Sequence, residues 1–212
     1  LFAAGGASAQ YSPFYAATAA ELAAGGPGSI IRYEPMLNAP WGSKGYRILY
    51  RSIGLNGDPI AVSGVIVVPN GQPPEGGWPV IAWAHPTTGV ADKCAPSLSI
   101  VYDVFKTIPG LDDAVKRKYV VVATDYPGLG TVGEHPYLVG PSEARAVLDS
   151  VRAARQIGGG GSRFAVWGHS QGGHAALWTG ELVAEYAPEL QLVGVATAAP
   201  ASLLGKLFED DL

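Results

Sequence analysis

The stretch FAVWGHSQGGHAALW, residues 164–178, decides the fold of this 212-residue chain. An apolar run is followed by Gly-His-Ser-Gln-Gly and then by a helix-forming segment. A G-x-S-x-G motif between a strand and a helix is typical of a sharp turn that exposes a serine hydroxyl above the carboxyl edge of a sheet. The sequence therefore predicts that Ser170 is a nucleophile, although a glycine-rich turn with an incidental serine would carry the same letters. The flanking glycines are expected because larger residues would clash with the neighbouring strand and helix.

Apolar runs of strand length alternate with helix candidates on both sides of this turn. The predicted strands are residues 78–85, 119–125, 163–168 and 192–199, and the predicted helices are residues 111–118, 142–157 and 171–186. Continuous apolar runs are typical of strands covered on both faces. Their alternation with helices predicts an α/β fold with a mostly parallel central sheet. Ser142 is expected to cap the second helix, and GGGGS at 158–162 is interpreted as a loop from helix to strand.

The first third of the chain carries different signals. Residues 10–45 are rich in Tyr, Ala, Gly and Pro and predict an irregular segment with one short helix near 13–24. Residues 46–54 and 59–69 are rich in β-branched and aromatic side chains, and the turn signal LNGD separates them. This arrangement predicts a β-hairpin.

A serine nucleophile that forms an acyl-enzyme also needs an oxyanion hole, made of backbone N–H groups aimed at the developing negative charge. The first predicted donor is the N–H of Gln171, directly after the serine. The second is expected from the loop AHPTTG, residues 84–89, after the first central strand. Thr87 is the preferred second donor and Thr88 is the alternative. Pro86 is excluded because proline has no N–H.

The sequence offers no convincing general base or orienting acid. The four histidines are His85, His135, His169 and His174, and for each a structural role is favoured over that of a base. His85 should brace its loop, and His169 should point into packing. Asp125 is expected to fix the turn after its strand by hydrogen bonds. The acidic residues Glu209, Asp210 and Asp211 are expected to begin a cap.

Three stretches together resemble the secretory lipase family of α/β-hydrolases, which includes fungal and actinobacterial lipases and esterases. They are AWAHPTTGVADKCAPS, ATDYPGLGTVGEHPYLVG and VWGHSQGGHAALW, and the resemblance covers about residues 30–205. It implies an α/β-hydrolase fold and ester hydrolysis through an acyl-enzyme on Ser170, without metal or cofactor. It also implies a cap that begins near 200–212.

In α/β-hydrolases the triad acid and histidine follow the serine in the chain. We therefore expect both after Leu212. Residues 10–212 would then be the N-terminal part of one α/β-hydrolase domain, and the later strands, the rest of the cap and the C-terminal remainder would lie beyond Leu212.

Composition limits the other functions. The net charge is −4 and no dense Lys/Arg cluster appears, so nucleic acid is not an expected partner. No apolar run is long enough to span a bilayer.

Residues 1–9, LFAAGGASA, resemble the end of a secretory signal peptide, which predicts a secreted or cell-envelope protein; a flexible Ala/Gly-rich terminus is the alternative. The single cysteine, Cys94, is a free thiol, a buried inert residue or half of a disulfide.

The leading hypothesis is therefore a secreted serine carboxylic-ester hydrolase acting on a small-molecule or lipid ester. An acyltransferase or a deacetylase would use the same nucleophile. A non-catalytic ligand-binding protein on a hydrolase fold is the alternative from another class, because a fold does not fix a function.

Overall fold

The computed structural model, which describes residues 12–98 and 103–210, places the apolar runs in one seven-stranded sheet. The strands are β1 Ile30–Met36, β2 Ser43–Ile53, β3 Pro59–Pro69, β4 Trp78–Ala84, β5 Val120–Thr124, β6 Gly160–His169 and β7 Gln191–Ala198. Their order across the sheet is β1-β2-β3-β5-β4-β6-β7. β1, β2 and β3 are antiparallel neighbours, and β3 is antiparallel to β5. β5, β4, β6 and β7 run parallel to one another, so the predicted α/β class with a mostly parallel central sheet is confirmed.

Helices cover the two faces of the sheet unequally. They are α1 Ala19–Ala23, α2 Leu111–Lys116, α3 Gly140–Gln156, α4 Gln171–Tyr186 and α5 Leu204–Asp210. α3 and α4 pack on one face, where their small and aliphatic side chains join the larger apolar core. α2 and the short 3₁₀ turn Val104–Thr107 pack on the other face against β3, β4 and β5. Because β4, β5, β6 and β7 are parallel, their carboxyl ends lie at one edge of the sheet, and the loops that follow these strands start from that edge.

The predicted hairpin is present and longer than its sequence signal. β2 pairs with β3 without a break from Ser43 opposite Pro69 to Ile53 opposite Pro59. The strand β1 was not predicted, since the sequence indicated irregular structure there. It is an edge strand that contains Pro35, and an edge position tolerates a proline because one side of the strand needs no hydrogen-bond donor.

Two local predictions were wrong. Ser142 does not cap α3: the helix begins at Gly140, and the Ser142 hydroxyl is buried without a partner among the described residues. Glu143 reaches back instead, and one of its carboxylate oxygens accepts the Leu138 N–H at 3.2 Å. The GGGGS segment is only partly a loop, because β6 already begins at Gly160.

β7 is much more exposed than its apolar sequence predicted. Val193 and Val195 are 54% and 41% exposed. The strand lies at the edge of the sheet, where β6 is its only paired neighbour within the described ranges and α4 packs beside it. Burial on both faces by the described residues therefore does not account for this apolar run.

The helix α5 lies where the sequence predicts the beginning of a cap, and its role as a cap stays a prediction. The proposed signal-peptide remnant at 1–9 lies outside the described residues, as does Asp211. None of the described helices is long and apolar enough to cross a membrane.

Candidate active site

Ser170 is the single residue between the end of β6 and the beginning of α4. Its backbone has φ 55° and ψ −118°, a conformation that L-residues rarely adopt. Such a residue costs roughly 1–3 kcal/mol and persists only where its surroundings hold it. Here the Ser170 N–H donates to the carbonyl of Ala198 at 2.9 Å, and the Ser170 carbonyl accepts the N–H of His174 at 3.1 Å. The turn is thus fixed from β7 on one side and from the first turn of α4 on the other.

The glycines of the motif are required by close approach of main chains. A side chain at Gly168 would collide with the backbone of Gly172 and would meet the Gly173 nitrogen at 2.9 Å. A side chain at Gly172 would collide with the Ala84 carbonyl and would lie 2.8 Å from the His85 carbonyl oxygen. The steric reason expected from the sequence is therefore present. These contacts also place the start of the AHPTTG loop directly against the first turn of α4.

The two predicted oxyanion donors lie on elements that this contact brings together. Gln171 is the first residue of α4, and its backbone N–H has no hydrogen-bond partner in the described parts of the chain. Unpaired N–H groups at a helix N-terminus favour negative charge. Thr87 and Thr88 follow Pro86 on the exposed part of the loop. The Thr87 hydroxyl is 3.0 Å from the hydroxyl of Tyr137, and the choice between Thr87 and Thr88 as second donor stays a prediction.

His85 supports this loop from below, as expected from the sequence. Its ring is buried, with Nδ1 at 2.7 Å from the Pro86 carbonyl and Nε2 at 3.3 Å from the Asp125 carbonyl. Burial lowers the pKa of His85 because the charged imidazolium loses its water. The hydroxyl of Tyr126 donates to the His85 carbonyl at 3.1 Å. A buried ring that contacts two backbone carbonyls in this way holds the backbone of the loop in place.

Asp125 fixes the turn after β5, also as expected. Its carboxylate accepts the Ser63 hydroxyl at 2.7 Å, the Ser97 N–H at 3.0 Å and the Ser97 hydroxyl. Burial raises the pKa of this carboxyl. These bonds join β3, the turn Pro96–Leu98 and the end of β5, so Asp125 belongs to the framework of the loops.

None of the four histidines, all within the described ranges, forms a hydrogen bond with the Ser170 hydroxyl. His135 Nδ1 lies 2.8 Å from the Pro127 carbonyl, and His174 Nδ1 lies 2.8 Å from Glu143. His169 is exposed, so the expectation that it points into packing was wrong. Towards the end of β6, buried residues alternate with more exposed ones, and His169 belongs to the more exposed set.

A buried polar cluster beneath the serine turn was not predicted from the sequence. Glu143 is 0% exposed and accepts hydrogen bonds from the side-chain amide of Gln171 at 2.8 Å and from His174 at 2.8 Å. The amide nitrogen of Gln171 also lies 3.0 Å from His135 Nε2. One signal could have revealed the cluster: Gln171 and His174 are three apart on a helix otherwise rich in small apolar residues, so they share a face and need a polar partner.

The loops at the carboxyl edge of the sheet carry an apolar rim of exposed side chains. They are Val90, Val132, Tyr137, Val139 and Leu203, on loops that follow β4, β5 and β7. Cys94 lies behind the first of these loops against Gly89 and has no disulfide partner among the described residues. In the same residues, no three His, Cys, Asp or Glu side chains come together as a metal site would require.

Comparison with known proteins gives three consistent results. The family model described as "Secretory lipase" matches residues 97–210. A "Probable inactive lipase" from Mycobacterium tuberculosis is 28% identical over 174 residues, and "Lipase A" from Moesziomyces aphidis is 27% identical over 164 residues. These alignments cover 76% and 71% of this chain but 38% and 34% of the relatives.

A solved structure, the rice cell wall degrading esterase LipA from Xanthomonas oryzae, superposes with a TM-score of 0.72 at 29% identity. The match covers 88% of this chain and 54% of that protein. The chain therefore spans between about a third and about half of the length of the proteins that it matches.

Proposed function

This chain belongs to the secretory lipase family, and from that premise we propose that it carries the nucleophile of a serine ester hydrolase. The observation that supports this most strongly is Ser170, held at φ 55° between β6 and α4. The N–H of Gln171 is the next backbone donor after Ser170, and the start of the AHPTTG loop packs against the first turn of α4. Strain, partial exposure and adjacent donors are the three requirements of a nucleophile on such a turn.

The proposed reaction passes through an acyl-enzyme. The Ser170 oxygen attacks the ester carbonyl carbon, and the carbonyl oxygen becomes an oxyanion that accepts hydrogen bonds from the N–H of Gln171 and of Thr87, or Thr88 in its place. Collapse of this intermediate breaks the bond to the alcohol, which leaves with a proton, and the acyl group stays on Ser170. Water then attacks the acyl-enzyme, releases the acid and restores the serine.

A general base is needed for both steps, and we propose that it comes from residues that follow Leu212 in the complete protein. His85 and His135 contact backbone carbonyls and His174 contacts Glu143, each through Nδ1, and none of the three rings is hydrogen-bonded to the Ser170 hydroxyl among the described residues. The exposed apolar strand β7 is a suitable surface for further strands of the same domain, on which the triad acid and histidine would lie. The C-terminal remainder of the enzyme is thus the proposed partner of this chain.

The substrate we propose is an ester with an apolar acyl or alcohol group. Apolar side chains such as Val132 and Leu203, which are 88% and 75% exposed, lie on the loops after β5 and β7, at the same edge of the sheet as Ser170. Exposed apolar groups around a site favour binding of apolar ligands. The family description and the signal-like residues 1–9 support export as the proposed location.

A second candidate is an inactive member of the family that binds esters without cleaving them. It is favoured by one observation, that a relative 28% identical to this chain is named a probable inactive lipase. Ser170 and its glycine neighbours are intact here, which supports the hydrolase instead.

Hydrolysis of p-nitrophenyl esters separates the two candidates. We expect the protein, expressed from its complete reading frame, to release a burst of p-nitrophenol equal to the enzyme concentration and then to turn over steadily. Rates should rise from acetate to esters of medium chain length, because longer acyl groups contact the apolar rim. A purified, folded protein that binds these esters and releases no p-nitrophenol would identify a binding protein.

A further inference from the structure

Glu143 is a buried carboxylate that the proposed reaction does not use. It lies in the first turn of α3, is 0% exposed, and receives hydrogen bonds from three separate donors. These are the Gln171 amide, the His174 ring and the Leu138 N–H. A carboxylate is costly to bury unless it is fully paired, so its place beneath the serine turn needs an explanation.

The side chain of Gln171 is held at both of its N–H groups. His135 Nδ1 faces the Pro127 carbonyl at 2.8 Å, and since a carbonyl can only accept, that nitrogen carries the proton. His135 Nε2 is then a lone-pair acceptor, 3.0 Å from the Gln171 amide nitrogen. The second N–H points to Glu143 at 2.8 Å. If the Gln171 amide were rotated by half a turn, its oxygen would face His135 Nε2 and the Glu143 carboxylate, both of which are acceptors. The orientation with the nitrogen towards them is therefore favoured.

Glu143 also holds α4 at a second point. Its other carboxylate oxygen binds the ring of His174, whose backbone N–H is bonded to the Ser170 carbonyl. One carboxylate therefore contacts two side chains in the first turn of α4, immediately after the strained residue. Strained backbone relaxes unless neighbouring contacts oppose it, and Glu143 adds two side-chain bonds in the first turn of α4 to the backbone bonds that hold Ser170.

We infer that Glu143 is a positioning residue that, through the Gln171 side chain, aims the Gln171 backbone N–H at the oxyanion. This inference rests on the proposed function. A hydrogen bond to an oxyanion strengthens mainly in the transition state, so its misalignment should lower kcat and leave KM nearly unchanged. Loss of a whole donor costs about 10²–10³-fold in rate, and a misaimed donor should cost about 10- to 100-fold.

The test compares Glu143→Ala with Asp149→Ala in the protein expressed from its complete reading frame. Asp149 is a matched control, because it is also a 0% exposed carboxylate of α3 with several hydrogen-bond partners, Ser52 and Tyr186 among them. We expect kcat per folded enzyme to fall about 10- to 100-fold in Glu143→Ala, with KM within about threefold. Asp149→Ala should keep kcat near wild type while losing stability. Glu143→Gln should restore most of the rate, because its amide oxygen still accepts from Gln171.

If Glu143→Ala does not fold, Gln171→Met carries the test. This variant keeps the backbone N–H and removes the side chain that Glu143 holds, so the same fall in kcat is expected. Unchanged kcat in the folded Glu143→Ala or Gln171→Met protein would overturn the inference.

A readout independent of activity separates this inference from the proposed function. Gln171 is one of five glutamines in residues 1–212, and in ¹⁵N-glutamine-labelled protein its backbone amide signal is the one missing from Gln171→Met. We expect that signal to shift or broaden in Glu143→Ala and to stay in place in Asp149→Ala. A signal unmoved by Glu143→Ala overturns the inference, whereas an inactive wild type with a Glu143-dependent signal overturns only the proposed function.

Discussion

Ser170→Ala is expected to lower kcat for ester hydrolysis by at least about 10³-fold, because the oxygen that forms the acyl-enzyme is removed. The residual activity would come from substrate binding and from stabilisation by the oxyanion donors while water attacks the ester directly. The substitution should leave the fold intact. Alanine has the same backbone restrictions as serine at φ 55°, and the bond from the residue 170 N–H to the Ala198 carbonyl does not involve the side chain.

The rate is measured with p-nitrophenyl esters, and folding is checked by near-UV circular dichroism and thermal unfolding. Ser150→Ala is the control for removal of a serine hydroxyl, since Ser150 is buried and, among the described residues, its hydroxyl bonds only to the Val147 carbonyl of its own helix. This control should turn over at the wild-type rate. If Ser170→Ala retained a tenth or more of the activity, Ser170 would not be the nucleophile.

Gly172→Val should produce the second largest effect, through sterics. The added side chain would collide with the Ala84 carbonyl and crowd the His85 carbonyl, so the first turn of α4 and the AHPTTG loop would have to separate. Overpacking of this kind costs about 1–3 kcal/mol or more, because backbone atoms cannot rotate away. We expect little folded protein, and at least about 100-fold lower kcat in any that folds, since the two predicted oxyanion donors would move apart.

Gly180→Ala is the control for that substitution. Gly180 lies in the same helix, and a methyl group there would meet only the partly exposed Val195 side chain among the described residues, at 3.2 Å. Alanine is favoured over glycine in a helix by about 0.8–1 kcal/mol, so thermal stability should equal or exceed that of the wild type. A Gly172→Val protein with wild-type yield, melting temperature and kcat would show that the close approach at Gly172 is not required.

The parts of the fold that the sequence predicted are those with strong local signals. The motif around Ser170, the turn LNGD and the apolar runs each specify a conformation through residues that are neighbours in the chain. The strand β1 was missed because Pro35 and its charged neighbours resemble a loop. Its place in the sheet comes from pairing with β2, which local sequence does not encode.

The polar cluster shows the same limit at the candidate site. Glu143 and Gln171 are 28 residues apart in the chain and meet only because α3 and α4 pack side by side. Nothing in PSEARAV distinguishes a buried glutamate from a solvated one. The exposure of β7 was likewise unpredictable, since an apolar sequence of strand length is compatible with a central strand and with an edge strand.

The most direct test of the central claim is to treat the protein with a fluorophosphonate and to identify the modified residue by peptide mass mapping. An activated serine beside an oxyanion hole reacts with such a probe far faster than an ordinary surface serine. We predict one adduct, on the peptide that contains Ser170, and none in Ser170→Ala. An adduct on a different serine, or ester hydrolysis without any adduct on Ser170, would contradict the account.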